Sequence, residues 1–267
     1  MTIKGWPDSR RPVDPIGGWG PGHPGVGNVS GLPNIARRLD RAHPINVGLC
    51  GWWPMDEMQG TRIRDLSIYG NHGTLTNAAN PATATSGWGA GVSQRELAFD
   101  ATDDYIAIPH STSLAITGAI TMLGWLNVDY ASNYLMLFTK VSGTVPAPYQ
   151  AYIQAGTGLI ELWRGNGVSQ VNRVGTNPIP SQTECMFAMT HDLTTGKHYL
   201  NGAANGSGAL SVSISDAGTA LNVGQRASAY WLKGRAWHLR IYNRALSATE
   251  IAQLYADKWL GSIGGIT

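Results

Sequence analysis

Charge, cysteine and phenylalanine are all scarce in this 267-residue chain. Charged residues make up 13% of it, about half the ~25% of an average soluble protein. The net charge is only +2, and no cluster of Arg and Lys builds the basic stripe of a nucleic-acid groove. Two cysteines, Cys50 and Cys185, lie far apart in sequence. A single disulfide between them is open to the sequence but nothing demands it, and they read as two buried thiols. No stretch approaches the ~20 consecutive apolar residues of a membrane span. The opening Met1-Thr-Ile-Lys-Gly-Trp-Pro7 has no apolar core of the kind a secretory signal needs.

Glycine, by contrast, is abundant at 34 residues, and Trp and Tyr supply 20 of the aromatic residues. The first 48 residues differ from the rest. They hold seven of the 14 prolines, nine glycines, and six basic residues against three acidic ones. The run Gly17-Gly-Trp-Gly-Pro-Gly-His-Pro-Gly25 can hold neither a helix nor a central strand. Such a segment has too little apolar surface to offset its own ordering entropy. Residues 1–46 therefore read as an extended arm that docks on a partner. Its candidate contacts are Trp6, Arg10, Arg11, Trp19, Ile35, Arg38 and Leu39. Within the arm, Leu32–Ala42 reads as one short helix, with Asn34 as its cap, Ile35 and Leu39 on one side, and His43-Pro44 as its stop.

Residues 47–267 read as a single domain of short strands separated by turns. Strands are expected over 47–54, 95–99, 104–108, 120–128, 134–140, 149–154, 159–164, 185–192, 197–200, 221–224 and 233–242. Turn signals fall at Tyr69–Gly73, Gly165-Asn-Gly167 and Asn201-Gly202. Ser247-Ala-Thr-Glu250 is a capping box opening a helix, with Ile251, Leu254 and Tyr255 on its packing face. This pattern describes an all-β, two-sheet antiparallel jelly-roll sandwich with one short C-terminal helix and an extended N-terminal arm.

Five motifs, in order, resemble laminin G-like, concanavalin A-like domains. They are Leu49-Cys-Gly-Trp-Trp-Pro-Met-Asp-Glu57, Asp65-Leu-Ser-Ile-Tyr-Gly-Asn-His-Gly-Thr-Leu75 and Leu97-Ala-Phe-Asp-Ala-Thr-Asp-Asp-Tyr-Ile-Ala-Ile-Pro109. The set is completed by Phe187-Ala-Met-Thr-His-Asp192 with Tyr199-Leu-Asn-Gly202, and by Gly234–Tyr255. One departure is Gly234-Arg235-Ala236, where the family usually carries an acidic residue after the glycine. The family includes lectins, glucanases, adhesive modules and virion proteins, so the fold alone does not choose among them.

Glucanases need two carboxylates about 5–5.5 Å apart across the scissile bond. The five glutamates here, at 57, 96, 161, 184 and 250, lie far from one another in sequence. Asp56 and Glu57 are adjacent, and a strand would send them to opposite faces. Neither a His-Glu-x-x-His zinc motif nor a Gly-x-Ser-x-Gly elbow occurs, and the glycine spacing of residues 20–25 follows no strand. The chain reads as non-enzymatic. For glycan binding the candidates are Trp163 with Arg164 and Tyr230 with Trp231, aromatics set beside turns. Trp53, Trp125 and Trp237 read as core. Asp65, Asn71 and Asp103 are candidate calcium ligands. For Asp65 and Asn71 the other reading is side-chain bonding to the backbone of their own loop.

Two functional readings follow. The first is a phage virion accessory subunit, such as a capsid decoration, head fibre or tail protein. It would be held by its arm to other virion proteins, would display its domain to host-surface glycans, and would form a homo-oligomer such as a trimer. The second is a free carbohydrate-binding module of a bacterial surface protein.

Overall fold

The computed structural model describes residues 37–80, 82–89, 96–142, 145–226 and 230–263. Sheet I runs Gln170–Val174, Ile160–Gly165, Val145–Ile153, Leu135–Ser142, Leu221–Val223, Tyr105–Ile108, Gly73–Thr76, Arg62–Ile63. Sheet II runs Ala203–Ala209, Thr195–Leu200, Cys185–His191, Ile120–Val128, Lys233–Tyr242, Leu97–Asp100, Gly87–Trp88, with Leu49–Trp53 paired to Lys233–Tyr242 as well. Every pairing is antiparallel, and the two sheets pack into the expected sandwich.

Alternation along the strands decides what fills the core. In Sheet I, Tyr149, Ala151 and Ile153 are buried, as are Ile160 and Leu162 on the neighbouring strand. The Phe138 ring of Sheet I meets the Phe187 ring of Sheet II with centroids 6.4 Å apart. The central strands of Sheet II, Ile120–Val128 and Cys185–His191, are buried almost along their whole length, so both of their faces are covered. Trp53, Trp125 and Trp237 are core residues as expected. Part of Sheet II is closed by an arginine–aromatic stack. The Arg240 guanidinium lies 3.6 Å over the Trp52 ring and donates to the carbonyls of Lys258 and Leu260. Cys50 and Cys185 are free thiols whose pKa values burial pushes up to about 12.

The capping box forms: the Ser247 hydroxyl accepts from the Glu250 amide and the Glu250 carboxylate accepts from the Ser247 amide. The helix is Ala248–Ala256, and it buries Ile251 and Leu254. Tyr255, expected on the packing face, is 46% exposed.

The structure differs from expectation at the start of the domain. Arg38 and Leu39 do not join a helix; they pair with Ile263 and Ser262 as a two-stranded ribbon. The Asp40 carboxylate accepts the Ala42 amide, a local turn that competes with helical bonding. Asn46 then donates to the carbonyls of Asp40 and Gly261, and Ile45 enters the core. Residues 38–46 are therefore held against the rest of the unit Arg37–Ile263. Trp6, Arg10, Arg11, Trp19, Asn34 and Ile35 lie outside the described residues. Strands 62–63, 73–76, 87–88, 170–174 and 203–209 were not anticipated, being short or rich in Gly and Asn.

Gly234 holds φ +124° in the central strand Lys233–Tyr242, where a Cβ would collide with the Asn127 carbonyl oxygen. Gly234→Ala is expected to destabilise the domain by about 1–3 kcal/mol, read as a lower midpoint in guanidinium unfolding. A second expectation concerns pH. Burial pushes the His198 imidazole down to about 4, and its Nε2–H donates to the Arg173 carbonyl at 3.0 Å. Burial, with Arg240, Lys258 and Arg37 nearby, also holds His238 well below its ordinary value. The unfolded chain therefore takes up protons first as pH falls. The His198 contribution is full above about 6.5 and is lost towards about 4, while Glu57, which burial pushes up to about 7, works in the opposite direction over the same window. The difference in unfolding midpoint between wild type and His198→Gln should therefore shift against the wild type as pH falls across that window.

Candidate functional site

The outward face of Sheet I carries a ladder of aromatic rings, Tyr152 and Trp163 half-buried, and strand register builds it. Tyr152 stands opposite Glu161, and Trp163 opposite both Gln150 and Asn172. Residues two apart share a face, so Glu161 and Trp163 point the same way, with Tyr152 beside them. A bulge shifts the register between Ala151 and Tyr152, which brings Tyr152 opposite Met136. Tyr134 immediately precedes that strand and meets Tyr152 edge-on at 5.5 Å. Tyr152 stacks on Trp163 at 6.2 Å and 22°, while Tyr134 meets Tyr230 edge-on at 5.9 Å. Tyr134 is 41% exposed and Tyr230 47% exposed.

One carboxylate organises the buried side of this ladder. Glu161 Oε2 accepts the Trp163 indole N–H at 2.6 Å, the Tyr152 hydroxyl at 2.9 Å and the Asn172 amide at 2.9 Å. Its Oε1 accepts the Gln154 side-chain amide. These donors replace the water that a carboxylate only 3% exposed has lost. They also fix the Trp163 and Tyr152 rings in place before any ligand arrives. Burial pushes the Tyr152 phenol above its ordinary range, and the Glu161 charge and hydrogen bond add to the shift. At the other end, Tyr230 takes φ +54°, a left-handed conformation that costs a non-glycine residue about 1–2 kcal/mol. The Arg226 guanidinium lies 5.9 Å from the Tyr230 ring centroid.

Trp163 and Tyr230, read as separate candidates, thus belong to one ladder, joined by Tyr134 and Tyr152. Trp231 pairs with Tyr105 at 6.2 Å. Arg164 is no ligand contact. It points into the sandwich, fully buried, where it donates to the carbonyls of Ile116, Gly118 and Pro148 and lies 3.1 Å from His191 Nδ1. The alternation that turns Trp163 outward sends Arg164 into the sandwich, and desolvation lowers the guanidinium pKa to about 10.

The three candidate calcium ligands do not act together. Asp65 Oδ1 accepts the amides of Trp52 and Ser67, and Oδ2 accepts the Ser67 hydroxyl and the Asn71 amide. Asn71 donates to the Cys50 carbonyl and to Ser113, and accepts from Ser111. These two residues tie their own loop to the core, and their polar capacity is used in doing so. Asp103 instead groups with Asp100 and Asp104, one oxygen of each lying within 4.8 Å of the others. Asp56 and Glu57 lie beyond the end of their strand, where Asp56 pairs with Arg64 at 3.2 Å. With Glu96, which pairs with Arg235 at 3.3 Å, Asp56 lines a cavity of about 420 Å³ beside Trp237, His238 and Trp259.

The model of the concanavalin A-like lectin/glucanases superfamily matches residues 100–252. The chain belongs to that superfamily. No curated protein matches it by sequence. Among solved structures it is similar to the binding domain of Paraclostridial Mosquitocidal Protein 1, with TM-score 0.59 and 12% identity over 80% of this chain and 53% of that one. It is also similar to the receptor binding domain of botulinum neurotoxin mosaic serotype C/D, with TM-score 0.61 and 13% identity over 81% of this chain and 52% of that one. The chain spans about half the length of these structures, and at such identity the likeness is one of fold.

Glu161→Gln keeps the shape of the hub and removes its charge. The variant should bring the Tyr152 phenol back towards its ordinary pKa, read as a new tyrosinate absorbance step at lower pH in an alkaline titration. It should also cost about 1.5–3 kcal/mol of stability.

Proposed function

We propose that this chain is a non-enzymatic carbohydrate-binding adhesion domain whose ligand lies along the Tyr230–Tyr134–Tyr152–Trp163 ladder. The observation that carries this reading is the pre-set row of rings, each 5.5–6.2 Å from the next, on a sheet face of a lectin-type fold. Pyranose rings present C–H faces that pack on aromatic faces, and their hydroxyls need polar partners at the margin. Asn172 and Gln154 stand beside the rings and can meet such hydroxyls. Glu161, with its four donors, orients the rings and is not disposed to move a proton. An elongated row favours an oligosaccharide over a single sugar, because each ring adds a modest increment.

The finer reading places this domain on a phage virion. The composition of the residues ahead of Arg37 supports it, since a Pro/Gly-rich segment suits attachment to a neighbour's exposed backbone. In that setting symmetric copies, such as a trimer, would multiply weak single-site binding. The free bacterial module shares the same ladder and differs only in what residues 1–36 hold.

A glycan array probed with the full chain tests the central claim. Wild type should bind at least one glycan class. Trp163→Ala and Tyr134→Ala should each weaken that binding about tenfold, as expected for loss of one stacking ring. No binding by the wild type, or binding unchanged in both variants, would refute the ladder. Deleting residues 1–36 should leave glycan binding intact and abolish incorporation into particles.

A further inference from the structure

Near the end of Leu135–Ser142 a lysine is turned into the sandwich. Lys140 lies two residues beyond the core residue Phe138, stands opposite the buried Tyr149, and is 0% exposed. Its Nζ donates to the Thr219 carbonyl at 2.7 Å and lies 3.2 Å from His110 Nδ1. Its third neighbour is Asp216, in the segment 210–220 that leads into Leu221–Val223, with Oδ1 2.5 Å from Nζ. That is closer than the ~2.7–2.9 Å of a charge-assisted N–H···O bond. The contact also lacks hydrogen-bond geometry, for Oδ1 is buried and has no hydrogen-bond partner. The approach is that of a nucleophile beside a carboxyl group rather than of a donor aimed at an oxygen lone pair. His110 Nδ1 is 3.7 Å from the other carboxylate oxygen, Oδ2. One imidazole nitrogen thus stands between the group that would lose protons and the oxygen that would gain them.

We propose that Lys140 and Asp216 condense to an intramolecular isopeptide bond, with His110 as the proton carrier. The Lys140 ammonium gives a proton to His110 Nδ1, and the free amine attacks Asp216 Cγ to form the N–Cγ bond. Two of the three ammonium protons pass to Oδ2 by way of His110. The Cγ–Oδ2 bond then breaks with its electron pair, and that oxygen leaves as water. The third proton stays as the amide N–H, placed to keep the bond to the Thr219 carbonyl. Ammonium and carboxylate give one amide and one water, so no oxidant, reductant or activated donor is required. Enclosure favours the step twice over. It holds the two reacting groups in contact, and the product carries neither of the charges that burial penalises.

Intact-mass spectrometry of the denatured full chain tests the proposal. Wild type should weigh one water less than its sequence requires. Trypsin should fail to cut after Lys140 and should release one branched peptide joining residues 96–164 to residues 198–226. Lys140→Arg keeps a cation beside Asp216 but cannot form the bond. It should show its full mass and a lower thermal midpoint, because no crosslink limits its unfolded chain. Asp216→Ala, in a segment outside the strands, should keep the fold by circular dichroism and also show its full mass. His110→Ala should fold and leave the freshly made chain largely uncondensed. A wild type of full mass that is cut after Lys140 would overturn the proposal. So would a missing water that persists in Asp216→Ala, and complete condensation in His110→Ala would remove His110 from the reaction.

Discussion

Arg164 brings a guanidinium into the sandwich without a carboxylate to meet it. Its charge is solvated by the carbonyls of Ile116, Gly118 and Pro148, which belong to two different segments. The hairpin of Val145–Ile153 and Ile160–Gly165 consequently has one tolerable register. A slip of one residue would turn Arg164 to solvent, strand those carbonyls and drive Trp163 and Glu161 into the core. The exposed face of Sheet I inherits its order from that restriction: with Arg164 inside, Glu161 and Trp163 must be outside, and Tyr152 must stand beside them.

The two sheets divide the work differently. Sheet II is buried on both faces in its central strands and closed by the Trp52–Arg240 stack and its partners from the C-terminal segment, so it serves as a rigid backing. Sheet I is buried on one face and carries Tyr152 and Trp163 on the other. Tyr230, held at positive φ in the segment leading to Lys233–Tyr242, reaches from the backing sheet's own chain to complete the row. A strained residue at the end of the proposed recognition surface fits the wider pattern of strain concentrated at functional positions.

Much of this was legible in the residues themselves, and the gaps have physical causes. Ile120–Val128 and Lys233–Tyr242 appear where alternation and apolar content place them, and Ser247–Glu250 caps its helix as written. Trp163 and Tyr230 could be singled out one by one. Their union through Tyr134 and Tyr152 could not, because it depends on a bulge in the pairing of two strands that no single-strand pattern encodes. Arg164 is the instructive error: a neighbour in sequence is on the opposite face in a strand, and period two alone separates it from Trp163. Asp65 and Asn71 carry the right atoms for a metal, but their partners are backbone amides brought in from Trp52 and Cys50, visible only once the loop is folded. The helix expected over residues 32–42 failed at Asp40, whose carboxylate takes up the local amide of Ala42 and whose carbonyl is claimed by Asn46.

The ribbon of Arg38–Leu39 and Ser262–Ile263 has a mechanical meaning. Because Arg38 faces Ile263 in an antiparallel pair, these two residues stand side by side at one end of the ribbon. Tension applied between Arg38 and Ile263 would peel the ribbon open one hydrogen bond at a time, in zipper fashion, before any force reached the sheets. The pair thus works as a short fuse. Load is released at the neck of the domain, while the face that bears the aromatic row keeps its shape.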